Sequence, residues 1–141
     1  MRLSHNNNNN YLIGEVIFAI LSRLPVNIWH VSVKDNRIEK ICSILKKNPG
    51  KHWSTSELAD KVYFSDNAFI RRFKEVMGEP PQVYLQKLRI ERIAELLMES
   101  ELSIEDIASE CGFCDRHYLS RTFKKHYKQS PGQFRTTFHI P

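Results

Sequence analysis

Two stretches of this sequence carry side chains suited to reading the edges of nucleic-acid bases. Across residues 66–77 (DNAFIRRFKEVM), Asn67, Ile70, Arg71 and Lys74 fall away from the stripe made by Phe69 and Phe73. Across residues 116–126, Arg116, His117, Ser120, Arg121 and Lys124 surround Leu119 and Phe123 in the same manner. A guanidinium can bond guanine O6 and N7 bidentately, an Asn amide can pair with adenine, and an aliphatic side chain can cover a thymine methyl. Taken singly, each of these residues is as much at home on an ordinary solvated helix face. Their recurrence at matching positions of two segments is what points to base reading.

Other chemistries fit less well. Cys111-x-x-Cys114-x-x-His117 offers two thiols and an imidazole of the kind Zn²⁺ prefers, but no fourth ligand is near in the sequence. Cys111 also corresponds to Val62, an inner-face position, so a buried structural cysteine is the simpler account. A redox role for the pair lacks the preceding strand such a motif requires. No Gly-rich phosphate loop, G-x-S-x-G or H-E-x-x-H is present. Glu91, Glu95 and Glu99 recur at helical i, i+4 spacing, the mark of a solvated face. No enzymatic activity, metal or cofactor is expected.

The elements that must position the candidate readers are helical. Ile38, Ile41, Cys42 and Leu45 share one helix face, which ends at Asn48-Pro49-Gly50. Ser54-x-x-Glu57 spells a capping box and opens a short helix carrying Leu58, Ala59 and Val62. Phe64-Ser65-Asp66 forms a turn and N-cap, and the helix over 66–77 stops at Gly78. Pro80-Pro81 starts a long helix to about Glu99, with Tyr84, Leu85, Leu88, Leu96 and Leu97 available for burial.

The pattern then repeats. Ser103-x-x-Asp106 stands where Ser54-x-x-Glu57 stood, and Ile107-Ala108 matches Leu58-Ala59 at an offset of 49. After one extra residue in the second turn, Leu119, Phe123, Lys124, Pro131 and Phe134 match Phe69, Phe73, Lys74, Pro81 and Tyr84 at an offset of 50. This is an internal duplication of one short-helix, turn, second-helix unit. Such a unit follows helix-turn-helix grammar, in which the second helix can enter the major groove.

Charge supports that reading through its location. The 141 residues carry a formal net charge of +5, too small an excess to be informative as a total. Cys111–Pro141 holds six Lys/Arg against the single acidic Asp115, while Ile90–Glu110 holds seven acidic residues and one Arg. A basic face set against an acidic one orients a protein on a polyanion. Three cysteines make no disulfide scaffold, so a cytoplasmic setting is expected. Residues 1–10 are an Asn-rich, low-complexity start expected to be disordered. Residues 11–36 comprise an apolar helix, Tyr11–Leu24, and a linker. That helix carries Glu15 and Arg23 and is too short for a bilayer, which takes about 20 apolar residues. No membrane association is expected.

Residues 38–138 resemble the DNA-binding domain of the AraC/XylS family of bacterial transcription regulators. The resemblance is carried by ELADKVYFSDNAFIRRFKEVMGEPPQVYLQKLRIERIAELL and by LSIEDIASECGFCDRHYLSRTFKKHYKQSPGQFR. The second string is the more specific, through its Ile-Ala spacing, Gly112-Phe113, Leu119…Phe123-Lys124-Lys125 and Ser130-Pro131…Phe134-Arg135.

The resemblance implies an all-α domain over residues 37–141, with about seven helices forming two helix-turn-helix units on a long connecting helix. It places Asn67, Ile70 and Arg71, then His117, Tyr118, Ser120 and Arg121, at base-reading positions. Arg72, Lys74, Lys124 and Lys125 fall where phosphate contacts or solvated charges are expected. Ile70 and Tyr118 depart from the polar readers that family members often carry. The implied partners are double-stranded promoter DNA and RNA polymerase, with activation of transcription as the outcome.

Most full-length members carry a sensor or dimerisation domain before this point, whereas residues 1–36 leave no room for a ligand-binding barrel. The chain is therefore expected to be a short regulator, a truncated one or an excised segment. Tyr11–Leu24 reads as a remnant of a regulatory domain and a contact for a second copy or another protein. The rival reading is an interaction module with degenerate, non-specific DNA binding.

Overall fold

The computed structural model describes residues 35–138. The Asn-rich start and the apolar segment Tyr11–Leu24 lie outside the described residues. Seven helices and no strand occur among those described.

Helix α1 spans Asn36–Lys47 and buries Ile38, Ile41, Cys42 and Leu45, the face set by their spacing. Asp35 caps it, its carboxylate accepting from the Arg37 amide. The short α2, Thr55–Asp60, is capped by Ser54, whose Oγ accepts from Glu57 N at 3.0 Å. Only half of the expected box forms there, because the Glu57 carboxylate turns to Lys51 Nζ at 3.0 Å. Helix α3, Asp66–Met77, begins at the Ser65 cap and ends at Gly78, whose φ of 79° is the left-handed stop its sequence demands.

Helix α4, Pro81–Glu99, starts with Pro in its first turn, where a missing N–H costs nothing. At 1.5 Å per residue it is about 28 Å long. The second unit follows as α5, Ile104–Glu110, and α6, Arg116–Tyr127, with α7, Pro131–Phe138, closing the described chain. The α7 start carries a reciprocal box: Gln133 N donates to Ser130 Oγ at 3.3 Å, and Ser130 N donates to Gln133 Oε1 at 3.0 Å.

The duplication is structural. Phe64 N donates to Ala59 O at 3.0 Å in the first turn, and Phe113 N donates to Ala108 O at 2.9 Å in the second. Each unit also needs two left-handed residues, one in its turn and one after its second helix. Glycine fills one of each pair, but not the same one. Tyr63 (φ 58°) and Gly78 serve the first unit, Gly112 (φ 74°) and Lys128 (φ 62°) the second.

Two cores result, one per half. The first gathers α1, α2 and α3 around Leu58, Phe69, Phe73 and the Leu85 of α4. The second gathers α5, α6 and α7 around Ile93, Leu97, Ile107, Phe123 and Phe134. Helix α4 thus gives its first half to one core and its second half to the other. Ile90, Ile93 and Ala94, which the sequence reading did not select, are buried in the second core.

Candidate nucleic-acid interface

A recognition surface needs its helix fixed in rotation, and aromatic packing does this in both units. On α3, Phe69 and Phe73 are wholly buried, their rings edge-on at 5.7 Å, and Phe73 meets Tyr84 of α4 at 5.6 Å. The opposite face must then turn outward. Asn67, Ile70, Arg71 and Lys74 are all exposed. The Arg71 side chain is 77% exposed, with Glu75 at 4.0 Å as a weak i, i+4 partner, so its guanidinium is only loosely held.

On α6, Leu119 and Phe123 are buried, and Phe123 stacks on Tyr127 at 4.7 Å and meets Phe134 edge-on at 5.2 Å. His117, Tyr118, Arg121, Lys124 and Lys125 are exposed and Ser120 is half-buried. Tyr118 lies against Phe113 at 5.4 Å, so one side of its ring is held while the rest faces solvent. Asp115 starts this helix, its Oδ1 accepting from His117 N at 2.7 Å and Tyr118 N at 2.8 Å. Those bonds, that of Tyr118 foremost, hold the Asp115 carboxyl below the usual carboxylate range.

The structure separates some residues that the sequence grouped. Arg72 was placed with the phosphate contacts, but its Nε donates to Asp35 Oδ2 at 2.8 Å and its Nη1 to Glu75 Oε2 at 3.2 Å. Asp35 is buried, and the bond from Arg72 depresses its pKa more than any other influence. Arg72 therefore braces α3 against the start of α1. Three of the six basic residues of 111–141 also have partners: Lys128 Nζ donates to Lys125 O at 3.0 Å, and two others reach the segment before them. Arg135 Nη2 donates to Leu102 O at 2.6 Å, and Arg116 lies 3.8 Å from Glu105. Arg116, Arg121, Lys124 and Lys125 form the exposed basic part of α6.

The Cys111…His117 trio is divided by burial. Cys111 is wholly inside the second core, where burial pushes its thiol up to about 11, while Cys114 is exposed with its Sγ 3.4 Å from Asp115 Oδ2. Sequence reasoning missed the brace at Asp35. Its partner lies 37 residues away, beyond any local signal.

Two capped, rotationally fixed helices with polar and basic outer faces, each preceded by a short helix and joined by one long helix, define a double helix-turn-helix DNA-binding domain. Residues 58–137 match the family model described as a helix-turn-helix domain. The chain belongs to this family, in its AraC-type branch of DNA-binding transcription regulators. It is 29% identical over 107 residues to the HTH-type transcriptional regulator AlkR of Acinetobacter baylyi, covering 76% of this chain and 35% of that protein. It is 31% identical over 124 residues to the HTH-type transcriptional activator RhaS of Yersinia pestis, covering 84% and 45% respectively. Among solved structures, the C-terminal domain of AraT, a response regulator from Geobacillus stearothermophilus, superposes with a TM-score of 0.71 at 30% identity, covering 78% of this chain and 92% of that one. The chain spans less than half the length of these two full-length relatives.

Proposed function

We propose that this protein is a sequence-specific regulator of bacterial transcription, acting as an activator. Helices α3 and α6 read successive major-groove segments of promoter DNA, about one helical turn (~34 Å) apart. Asn67, Ile70 and Arg71 serve the first segment, and His117, Tyr118, Ser120 and Arg121 the second. Lys74, Lys124 and Lys125 neutralise phosphates, and Arg72 is assigned a bracing role instead. The observation that carries this reading is the paired outward face. On each helix the buried apolar stripe turns the corresponding outer positions outward, with Ser120 half-buried.

The activating sign is supported by the relative named as a transcriptional activator. RNA polymerase is the assigned downstream partner, the cytoplasm the assigned compartment, and no catalytic activity is assigned. Among the described residues no helix is long and apolar enough to cross a membrane. Tyr11–Leu24 is assigned as the contact for a second copy or a protein partner. Gel filtration that gives the same monomer with and without residues 1–34 would remove that assignment.

Fluorescence-anisotropy titration of the full chain against promoter fragments and random duplexes tests the regulator reading. Binding at physiological salt that prefers particular fragments by about 10³-fold or more supports it. Affinity that ignores sequence and vanishes as salt approaches physiological levels would instead support a degenerate interaction module.

A further inference from the structure

The two halves of the domain share α4, whose neighbouring stretches are embedded in the first and second cores. A second connection ties them beside it. Arg89 stands on α4 between Leu88, packed against the first core, and Ile90, buried in the second. Its Nε donates to Pro49 O at 2.8 Å and its Nη2 to Lys51 O at 3.0 Å. Both carbonyls belong to the loop that follows α1, and burial lowers the Arg89 pKa from its ordinary value.

Between those carbonyls lies Gly50, and the second half touches it backbone to backbone. A Cβ added at Gly50 would stand 1.9 Å from Glu110 O, and one added at Gly112 would stand 2.4 Å from Gly50 O. Neither position has room for a side chain. The seam is not sealed by apolar packing. A polar cleft lined by Lys46, Lys47, Lys51, Arg92, Glu95 and Glu110 opens beside it. The guanidinium bonds and the glycine contact therefore form a second tie between the halves, alongside α4 itself.

We propose that Arg89 and the Gly50–Gly112 contact set the spacing and angle between α3 and α6, and so fix how many base pairs may separate the two blocks of the operator. Arg89 is a positioning residue in this account, acting through the loop it holds. The inference rests on the regulator reading, because spacing has meaning only if both helices read DNA. One inserted base pair turns the second block by about a tenth of a helical turn. A clamped protein cannot follow that rotation, whereas a twisting one can.

The test uses the full chain and a two-block operator recovered by selection from random DNA. Duplexes with the spacer shortened or lengthened by one base pair compete against the original. Wild-type protein, Arg89→Met, Arg89→Lys and Gly50→Ala are compared, with circular dichroism to show that each is folded. Gly50→Ala opens the seam without touching a charge, so it tests the contact independently should Arg89→Met fold poorly. The expected result is that the wild type rejects altered spacers, while Arg89→Met and Gly50→Ala lose about tenfold or more of that discrimination and keep the same block sequences. Arg89→Lys, reaching one carbonyl at most, falls between. Folded variants that keep the wild-type spacing preference would overturn the proposal. A wild type that enriches no sequence would instead refute the regulator reading, and the proposal with it.

Discussion

The Arg72 guanidinium bonds the buried Asp35 carboxylate at 2.8 Å, tying α3 to the N-cap of α1. Asp35 also caps α1 through the Arg37 amide at 3.0 Å, so one carboxylate holds two elements.

This bond predicts an acid-sensitive stability. Arg72 and the Arg37 amide hold the folded-state pKa of Asp35 below its unfolded value. The stabilisation is therefore complete above the unfolded pKa of about 3.9 and is lost as pH falls through the folded value. Asp35→Asn keeps a good cap and loses the charge. Urea midpoints for this variant should fall less than those of the wild type between pH 5 and acid. Parallel curves would show that the pair contributes nothing to pH dependence.

The exchanged glycines predict opposite effects of glycine chemistry in the two turns. Tyr63 is 96% exposed and left-handed, so its side chain packs on little while its backbone is strained. Tyr63→Gly should stabilise the domain by up to about 1 kcal/mol. Gly112→Ala should cost at least 1–3 kcal/mol, roughly, because its Cβ meets backbone at 2.4 Å in addition to the positive φ. Chemical denaturation of the two variants decides the matter, and a destabilised Tyr63→Gly would mean that the tyrosine makes a contact that matters.

Thiol chemistry should distinguish the three cysteines. Cys42 and Cys111 are buried with raised thiol pKa values, Cys111 to about 11, whereas Cys114 is exposed. At pH 8 the native protein should react with a maleimide at Cys114 and leave the other two until it unfolds. Peptide mapping after labelling checks this. Native labelling of Cys111 at a rate like that of Cys114 would contradict its placement in the second core.

Lys124 and Arg72 should separate in their salt response. Lys124→Ala should weaken binding to all sequences alike and reduce the slope of log affinity against log salt by about one. Arg72→Ala should leave the slope unchanged and lower thermal stability, since its guanidinium is engaged by Asp35 and Glu75. A slope change for Arg72→Ala would restore it to the phosphate contacts.

What was legible in the sequence was local. The Ser54, Ser65 and Ser103 caps, the Gly78 stop and the Phe69/Phe73 and Leu119/Phe123 stripes are encoded within a few residues, and the structure has them in place. The missed burial of Ile90, Ile93 and Ala94 has a physical cause. Helix α4 serves two cores in succession, so no single stripe runs its length. Asp35–Arg72, Arg89–Pro49 and Arg135–Leu102 join residues 37, 40 and 33 positions apart, and nothing in the local pattern announces such bonds. Arg72 illustrates the consequence. On sequence it is one more basic residue of its helix, and its bond to Asp35 becomes visible only in the folded chain.

In the proposed complex, α3 and α6 read two separate blocks of one operator. Selection from random-sequence DNA with the full chain, repeated for Arg71→Ala and Arg121→Ala, tests it most directly. The wild type should enrich two blocks centred about 10–10.5 base pairs apart. Each variant should lose about 1–3 kcal/mol at its own block and relax specificity there, leaving the other block intact. No enriched motif, or both substitutions degrading the same block, would contradict the account.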